Sequence, residues 1–444
     1  MFTYVKLKNF MSFGEVTFDF KKKAGEAKPL VAIYGENGSG KSNFVRSIDF
    51  LCHLISSYDE SINFDKLVEQ LKNDKSIHSD NLIKMLKEYD FSELMSSCRM
   101  LECQEPTEVE YGYILNGWEG YYKVVFDKNI SYEKLYGLCG LQRGTIYEIS
   151  RENKKINSKF NSKLFANSGI KKDLDADIEK FWGKHSFLSI LAHHINEKNN
   201  DYMKQNLSSC VFDIMNLFNR TSVMTRKNMR KNTGLLSPFP KISNYDLMSG
   251  TIRKKDAYLL DKVECILNDF FTQTYADIKK VTFERKQIKN GATRYQLYVD
   301  KIICGKIRHI SFENESSGTQ QILNIIRILL GVFCGVTVVY DEIDNGIHDL
   351  ILNNIIASLS DYITGQLIIT THNTMLMETI NPNNSYVISV DYNGNKEIKC
   401  LSNFSIQSTN NIRNLYIKGV FGGVPYTESI DYDFITETIN EEDV

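Results

Sequence analysis

Three observations predict an α/β fold built around buried strands. The run Leu30–Tyr34 is apolar at every position, and a glycine-rich turn and then a helical pattern follow it. The runs Val336–Tyr340 and Gln366–Thr370 are likewise mostly apolar, and helical patterns alternate with them from Gly318 onward. Continuous apolar runs of this length suit strands covered on both faces, as in a parallel sheet flanked by helices.

The elements follow in chain order. Residues 1–20 alternate polar and apolar through Tyr4, Leu7, Phe10, Phe13, Val16, Phe18 and Phe20, which predicts two short strands with a turn near Ser12–Gly14. After the strand at 30–34, Phe44, Ile48, Leu51 and Ile55 fall at helical spacing. Residues 56–100 are charged and amphipathic, with Leu67, Leu71, Leu82 and Leu86 spaced for a helical insertion. Residues 107–127 return to alternation around Asn116-Gly117, a hairpin signal. Helical patterns dominate 172–275, strands return at 278–310, and a helix is expected from Gly318 to about Gly331. A strand at Thr337–Tyr340, a helix near 349–362 and a strand at Gln366–Thr370 complete the alternation.

Composition narrows the function classes. The 444 residues carry 53 Lys+Arg against 55 Asp+Glu, so a chain-wide basic nucleic-acid binder is excluded, while a local basic face stays open. With 42% hydrophobic and 24% charged residues, disorder is excluded as the main state. Nine scattered cysteines without a C-x-x-C pair fit reduced thiols and a cytoplasmic setting. The opening MFTYVKLKNF is not expected to be a signal peptide, and Asn324 and Arg327 interrupt the longest apolar stretch, so no membrane span is expected.

The segment Gly35-Glu36-Asn37-Gly38-Ser39-Gly40-Lys41-Ser42 fits G-x-x-x-x-G-K-[ST] between a buried strand and a helix. Glycines let the backbone wrap a phosphate with several N–H groups pointing inward, and the helix N-terminus adds partial positive charge. Lys41 can reach β- and γ-phosphates, and Ser42 can offer its hydroxyl to Mg²⁺. Gly35, Asn37, Gly38, Ser39, Gly40, Lys41, Ser42 and Asn43 are the candidate ATP-binding residues.

Two strand ends supply further chemistry. Asp341 and Glu342 close the second buried run, where Asp341 can hold Mg²⁺ with Ser42 and Glu342 can polarise an attacking water; the pair can also cap the next helix. His372 follows the third run, where an adjacent parallel strand would bring it beside Glu342 to donate to a γ-phosphate. Ser316, Ser317 and Gly318 open an apolar helix, which makes either a second anion site or a plain N-cap.

Together these motifs resemble the ABC/SMC-like P-loop ATPase head. Ser316-Ser317-Gly318-Thr319-Gln320 is similar to that family's Leu-Ser-Gly-Gly-Gln signature, with the first position and second glycine changed. The resemblance covers residues 1–50 and about 300–422. Leu7–Phe13, Asp341–His348, Ile412–Tyr416 and Phe421–Pro425 look like a narrower branch, the AAA-type, RloA-like ATPases of bacterial anti-phage defence operons, related to OLD-type, Septu and PARIS ATPase subunits. The family implies two heads sandwiching two ATPs, with Ser316, Ser317 and Gly318 meeting the γ-phosphate held by the other subunit and Asp344-Asn345 crossing the seam. Gln104 is the candidate Q-loop glutamine.

The resemblance implies a composite head from residues 1–165 and 276–425, a mainly helical lobe at 166–275 and an acidic tail at 426–444. The gap between Ser42 and Ser316 lacks sustained heptads, so a compact lobe is expected in place of a long coiled arm. About seventy residues follow His372, so any nuclease is expected to be a separate protein. The expected activity is ATP hydrolysis with Mg²⁺ by a homodimer that switches a separate effector, expected to be a nuclease, in phage defence. A DNA-repair ATPase of the same fold is the alternative. Arg226, Lys227, Arg230, Lys231, Arg253 and Lys254 could contact DNA phosphates, or could be a solvated face. A phage component is a further candidate partner. His185, His193 and His194 lack acidic or cysteine company at ligand spacing, so no metal site is expected there.

Overall fold

The computed structural model describes residues 1–22, 25–72, 91–153, 155–166, 168–198, 200–225, 246–288, 291–405, 410–424 and 430–441. Along the chain, β1 (Phe2–Phe10) and β2 (Phe13–Asp19) form the predicted hairpin, and β3 (Leu30–Gly35) leads into helix α1 (Lys41–Lys72). Helix α2 (Phe91–Cys98) is followed by a run of antiparallel strands: β4 (Thr107–Leu115), β5 (Trp118–Phe126), β6 (Ile130–Cys139), β7 (Gln142–Glu152) and β8 (Lys155–Phe160). Helices α3 (Ser168–Phe181), α4 (Phe187–Glu197), α5 (Asn200–Asn206) and α6 (Ser209–Asn219) come next, then β9 (Thr221–Met224). Strand β10 (Ser249–Ile252) and helix α7 (Tyr258–Thr274) precede β11 (Ile278–Gln287), β12 (Thr293–Ile303) and β13 (Lys306–Ser311). Helix α8 (Ser317–Phe333), β14 (Thr337–Tyr340), helix α9 (Asp349–Ala357) and β15 (Gln366–Thr370) supply the alternating units. After the single-turn α10 (Leu376–Thr379), the chain closes with β16 (Ser385–Val390), β17 (Lys396–Cys400), α11 (Ile412–Ile417) and α12 (Tyr432–Glu441).

Three sheets result. The central six-stranded sheet runs β17-β16-β3-β15-β14-β9, parallel except for the edge strand β17. A seven-stranded antiparallel sheet runs β2-β1-β4-β5-β6-β7-β8, and β10–β13 form a smaller antiparallel sheet. The alternation along β3 shows how the layers assemble. Val31 and Ile33 join a core with α1 and the seven-stranded sheet, while Leu30, Ala32 and Tyr34 face a second core with α7, α8 and α9. Residues of opposite parity leave a strand on opposite faces, so a strand covered on both sides must be apolar throughout. In the first core Phe18 and Phe44 bring their ring centroids to 4.4 Å. Helix α8 is capped by Ser316, whose side chain accepts from Thr319 N, and it buries Ile322, Leu323, Ile325, Ile326, Leu329 and Val332.

The stretch 166–275 departs from the expected separate lobe. It is helical over α3–α6 and α7, but β9 between them joins the central sheet beside β14, with Val339 opposite Val223. The sequence TSVM is too short to display a period of its own, and only its parallel partner reveals it as a strand. The helical reading of 56–100 holds for α1 and α2, while Leu82 and Leu86 lie outside the described residues. The expected tail is helical at α12, with Phe434, Ile435 and Ile439 exposed. Among the described residues no helix is long and apolar enough to cross a membrane.

A fully buried carboxylate ties the antiparallel sheet to the helices. Glu133 on β6 accepts from Tyr122 Oη (2.9 Å), Tyr147 Oη (2.8 Å), Trp182 Nε1 (2.7 Å) and the first amides of α4, Phe187 N (2.7 Å) and Leu188 N (3.4 Å). Burial pushes its pKa up, and these donors pull the other way. Replacing Glu133 with Ala strands several buried donors, so Glu133→Ala should lose about 3 kcal/mol of stability in urea unfolding, with Glu133→Gln losing less.

Candidate functional site

The site lies at the C-terminal ends of β3, β15 and β14, which are adjacent in that order. The turn after β3 is shaped by its glycines. Gly35 has φ +155° and Gly40 φ +113°, and a Cβ on them would come within 2.6 Å of Ser39 Oγ and 2.8 Å of the Phe13 ring respectively. Only glycine allows this close wrapping. The Lys41 ammonium donates to Gly35 O (2.8 Å) and Glu36 O (2.9 Å) of its own loop. Its pKa is lowered, chiefly by burial, while Asp341, Glu342, Asp344 and Glu36 act to raise it. The lysine therefore lies in the field of four carboxylates. Ser42 is exposed at the start of α1, and Asn43 donates to Ser12 Oγ in the β1–β2 turn.

One hydroxyl organises the acidic strand end. Thr370 on β15 donates to Asp341 Oδ1 (2.6 Å) and accepts from Glu342 N (2.8 Å), and its carbonyl accepts from Ile343 N (3.1 Å). Glu342 has φ +54°, a left-handed conformation that costs a non-glycine residue about 1 kcal/mol or more. The bonds to Thr370 and the buried Ile343 hold it there. The Asp341–Glu342 pair caps no helix, since His348 caps α9 by accepting from Leu350 N. Thr370 carries no motif signal, because a threonine ending a β-run is ordinary in sequence.

His372 follows β15 beside these groups, and its backbone N–H donates to Asp344 Oδ2 (3.3 Å). The imidazole pKa is lowered, first by burial and then by the Lys41 charge, against the pull of Asp344, Glu342 and Asp341. The pairing of β3, β15 and β14 brings the segments that carry Lys41, His372, Asp341 and Glu342 to neighbouring strand ends.

The signature segment sits where the acidic turn ends. Ser316 is the N-cap of α8 and Ser317 is exposed at its first position. A Cβ on Gly318 would come within 2.8 Å of Gly346 O, so this helix start is packed on the turn that carries Asp344 and Asn345. Lys301 pairs with the buried Glu315 at 2.9 Å, and Gln320 Nε2 donates to Glu315 O, which fixes the approach to the helix. The late glycine pair also reaches the site: a Cβ on Gly423 would lie 3.5 Å from Gly35 Cα, and Tyr416 Oη donates to Gly423 O.

Other candidates fall elsewhere. Gln104 is exposed in the loop before β4. Arg253 and Lys254 are exposed between β10 and α7, while Arg226, Lys227, Arg230 and Lys231 lie outside the described residues. The histidines do have acidic company, brought by the fold: His193 contacts Asp59 (2.5 Å) and His194 contacts Asp177 (2.6 Å). Among the described residues no group of His, Cys, Asp and Glu is arranged to hold a metal on its own.

The residues present fit a magnesium–nucleotide. Buried Ser39 Oγ and Asp344 Oδ1 have no hydrogen-bond partner among the described residues. The space beside Gly38 is open, with no atom within 4 Å of a built Cβ. An oxygen-rich acidic end faces a lysine across this loop, which suits Mg²⁺ and phosphate together.

The fold and this loop define an α/β P-loop NTPase. Residues 4–232, more than half of the chain, match the AAA domain family, and the chain belongs to it. No curated protein matches the chain. Among solved structures, an Smc head bound to the C-winged helix domain of ScpA shares 12% identity at a TM-score of 0.47, covering 90% of this chain and 97% of its own. The SMC head domain from Thermotoga maritima shares 13% identity at a TM-score of 0.40, over 90% and 98% of the two chains. A Pyrococcus furiosus-derived Smc head with an extended coiled coil, bound to the C-terminal domain of ScpA, shares 12% at 0.40, over 90% and 95%.

Two outcomes test this geometry. Thr370→Val, which keeps the shape and removes both hydroxyl bonds, should slow nucleotide hydrolysis roughly tenfold in a steady-state phosphate-release assay. In an NMR titration of the nucleotide-free protein, His372 should titrate below the ordinary histidine value of about 6.5. Removing the nearby positive charge in Lys41→Ala should move that midpoint upward.

Proposed function

We propose that this chain is a Mg²⁺-dependent ATPase that works as one of two paired heads. The observation that carries this reading is the convergence of Lys41, His372, Asp341 and Glu342 at three adjoining strand ends, where the lysine faces Asp341, Glu342 and Asp344. Ser42 and Asp341 would hold the metal, which would supply charge neutralisation to the phosphates. Lys41 exchanges its loop carbonyls for β- and γ-phosphate oxygens. Glu342, held by its strained backbone, orients the attacking water and takes its proton. His372 is kept neutral by burial and by Lys41, so one ring N–H can donate without adding charge. Ser316, Ser317 and Gly318 present a helix N-terminus at the surface, a suitable contact for the γ-phosphate of a second head.

This pairing makes the chain a switch. A ligand moves an equilibrium only through its different affinity for two states, and ATP shared by two surfaces provides that difference. The likeness of the motifs to defence ATPases supports control of a separate nuclease effector in phage defence. The exposed Arg253 and Lys254 support a second reading, a repair ATPase acting on DNA.

Lys41→Ala should abolish ATP binding. Glu342→Gln should lower turnover by about a hundredfold or more while trapping an ATP-bound dimer, read by light scattering. Hydrolysis at the wild-type rate by Glu342→Gln would refute the catalytic assignment. Hydrolysis stimulated by DNA at low salt, and lost on Arg253→Glu with Lys254→Glu, favours the repair reading over the effector switch.

A further inference from the structure

A second lysine borders the P-loop, and no motif points to it. Lys396 stands on the antiparallel edge strand β17. Its Nζ donates to Gly38 O (3.1 Å) and to Ser12 Oγ, the same hydroxyl that Asn43 of α1 contacts. It lies 5.4 Å from the centroid of the Phe13 ring. A Cβ on Gly40 would come within 3.2 Å of it. The ammonium is thus packed against both inner glycines of the loop.

The charge balance around this group is unlike that around Lys41. Lys41 is opposed by Asp341, Glu342, Asp344 and Glu36. Lys396 makes no carboxylate ion pair among the described residues, and burial alone lowers its pKa. Its two acceptors are neutral, a carbonyl and a hydroxyl, which leaves one N–H of the ammonium for another partner. A half-buried cation without a counter-charge is costly, and an anion entering beside it removes that cost. The Gly38–Gly40 stretch is the part of such a loop whose amides cradle α- and β-phosphates.

We propose that Lys396 is a nucleotide-binding residue that supplies a second positive charge to the α- and β-phosphates from the edge strand. This rests on the ATP reading above and extends it. Lys41 serves the β- and γ-phosphates, whereas Lys396 serves the part common to ATP and ADP. Its contribution is then uniform between substrate and product, so it sets affinity and leaves turnover alone. It also explains why a strand formed far along the chain abuts the loop at its glycines.

The test uses Lys396→Gln, which can still donate to Gly38 O and Ser12 but carries no charge. Equilibrium binding of Mg-ATP and Mg-ADP to the full chain should weaken by about tenfold for both nucleotides, with kcat within about twofold of wild type. The melting temperature without nucleotide should be unchanged, and Lys396→Arg should retain most of the affinity. Unchanged affinity for both nucleotides in Lys396→Gln would overturn the proposal, since the lysine would then only pin the strand. Weakened binding of ATP alone would also overturn it. If wild-type protein binds no nucleotide, the ATP reading itself falls and this proposal falls with it. If wild type binds and Lys41→Ala does not, that reading stands whatever Lys396 does. Should Lys396→Gln melt early, the comparison of Lys396→Arg with Lys396→Met decides, with equal affinities counting against the proposal.

Discussion

The double burial of β3, β15 and β14 is the constraint on which the rest depends. These strands pack α1 on one face and α7–α9 on the other, so a polar side chain buried along their lengths is costly and their middle positions are apolar. Polarity is expelled to the strand ends. Because the three are parallel and adjacent, their C-terminal ends lie together, and Lys41, His372, Asp341 and Glu342 have one place to meet. Gln366 shows the same rule at the opposite end. It is fully buried at the start of β15, where it exchanges bonds with Phe2 N and Phe2 O and donates to Lys28 O, lashing the two large sheets together.

Within that frame, rigidity is concentrated at the acidic turn. Thr370 Oγ1 touches both Asp341 and Glu342, so the two acidic residues share one anchor. The same turn continues to Gly346, against which Gly318 packs. A shift of the signature helix therefore bears on the backbone that holds Glu342 in its left-handed conformation. A strained residue held between two contacts is where small displacements have large chemical effects.

Much of this was legible in the chain. Leu30–Tyr34, Thr337–Tyr340 and Gln366–Thr370 read as doubly buried strands because their apolar runs are unbroken, and the loop at 35–42 has a spacing with few other uses. What stayed hidden depends on partners distant in sequence. Thr370 and Lys396 gain meaning only from the strands beside them, and Glu133 is an ordinary glutamate in an alternating strand until five donors close on it. The strand Thr221–Met224 follows directly on a helix and is too short to show a period of its own. Asp59 and Asp177 reach His193 and His194 from α1 and α3, beyond the reach of local spacing, whereas Glu197 pairs with His193 from within α4.

The contact between Gly423 and Gly35 has a consequence in time. The loop that opens the site is made long before the residues that complete it and brace it, which lie far along the chain after it. Contacts this distant in sequence close slowly, because a large loop must lose its freedom first. A nascent chain that has not yet extended past Val336 holds a phosphate loop without its acidic and imidazole counterparts. It has a buried strand surface and no neighbour to cover it. The protein is therefore most exposed to aggregation before β15 and β16 have been made to cover β3.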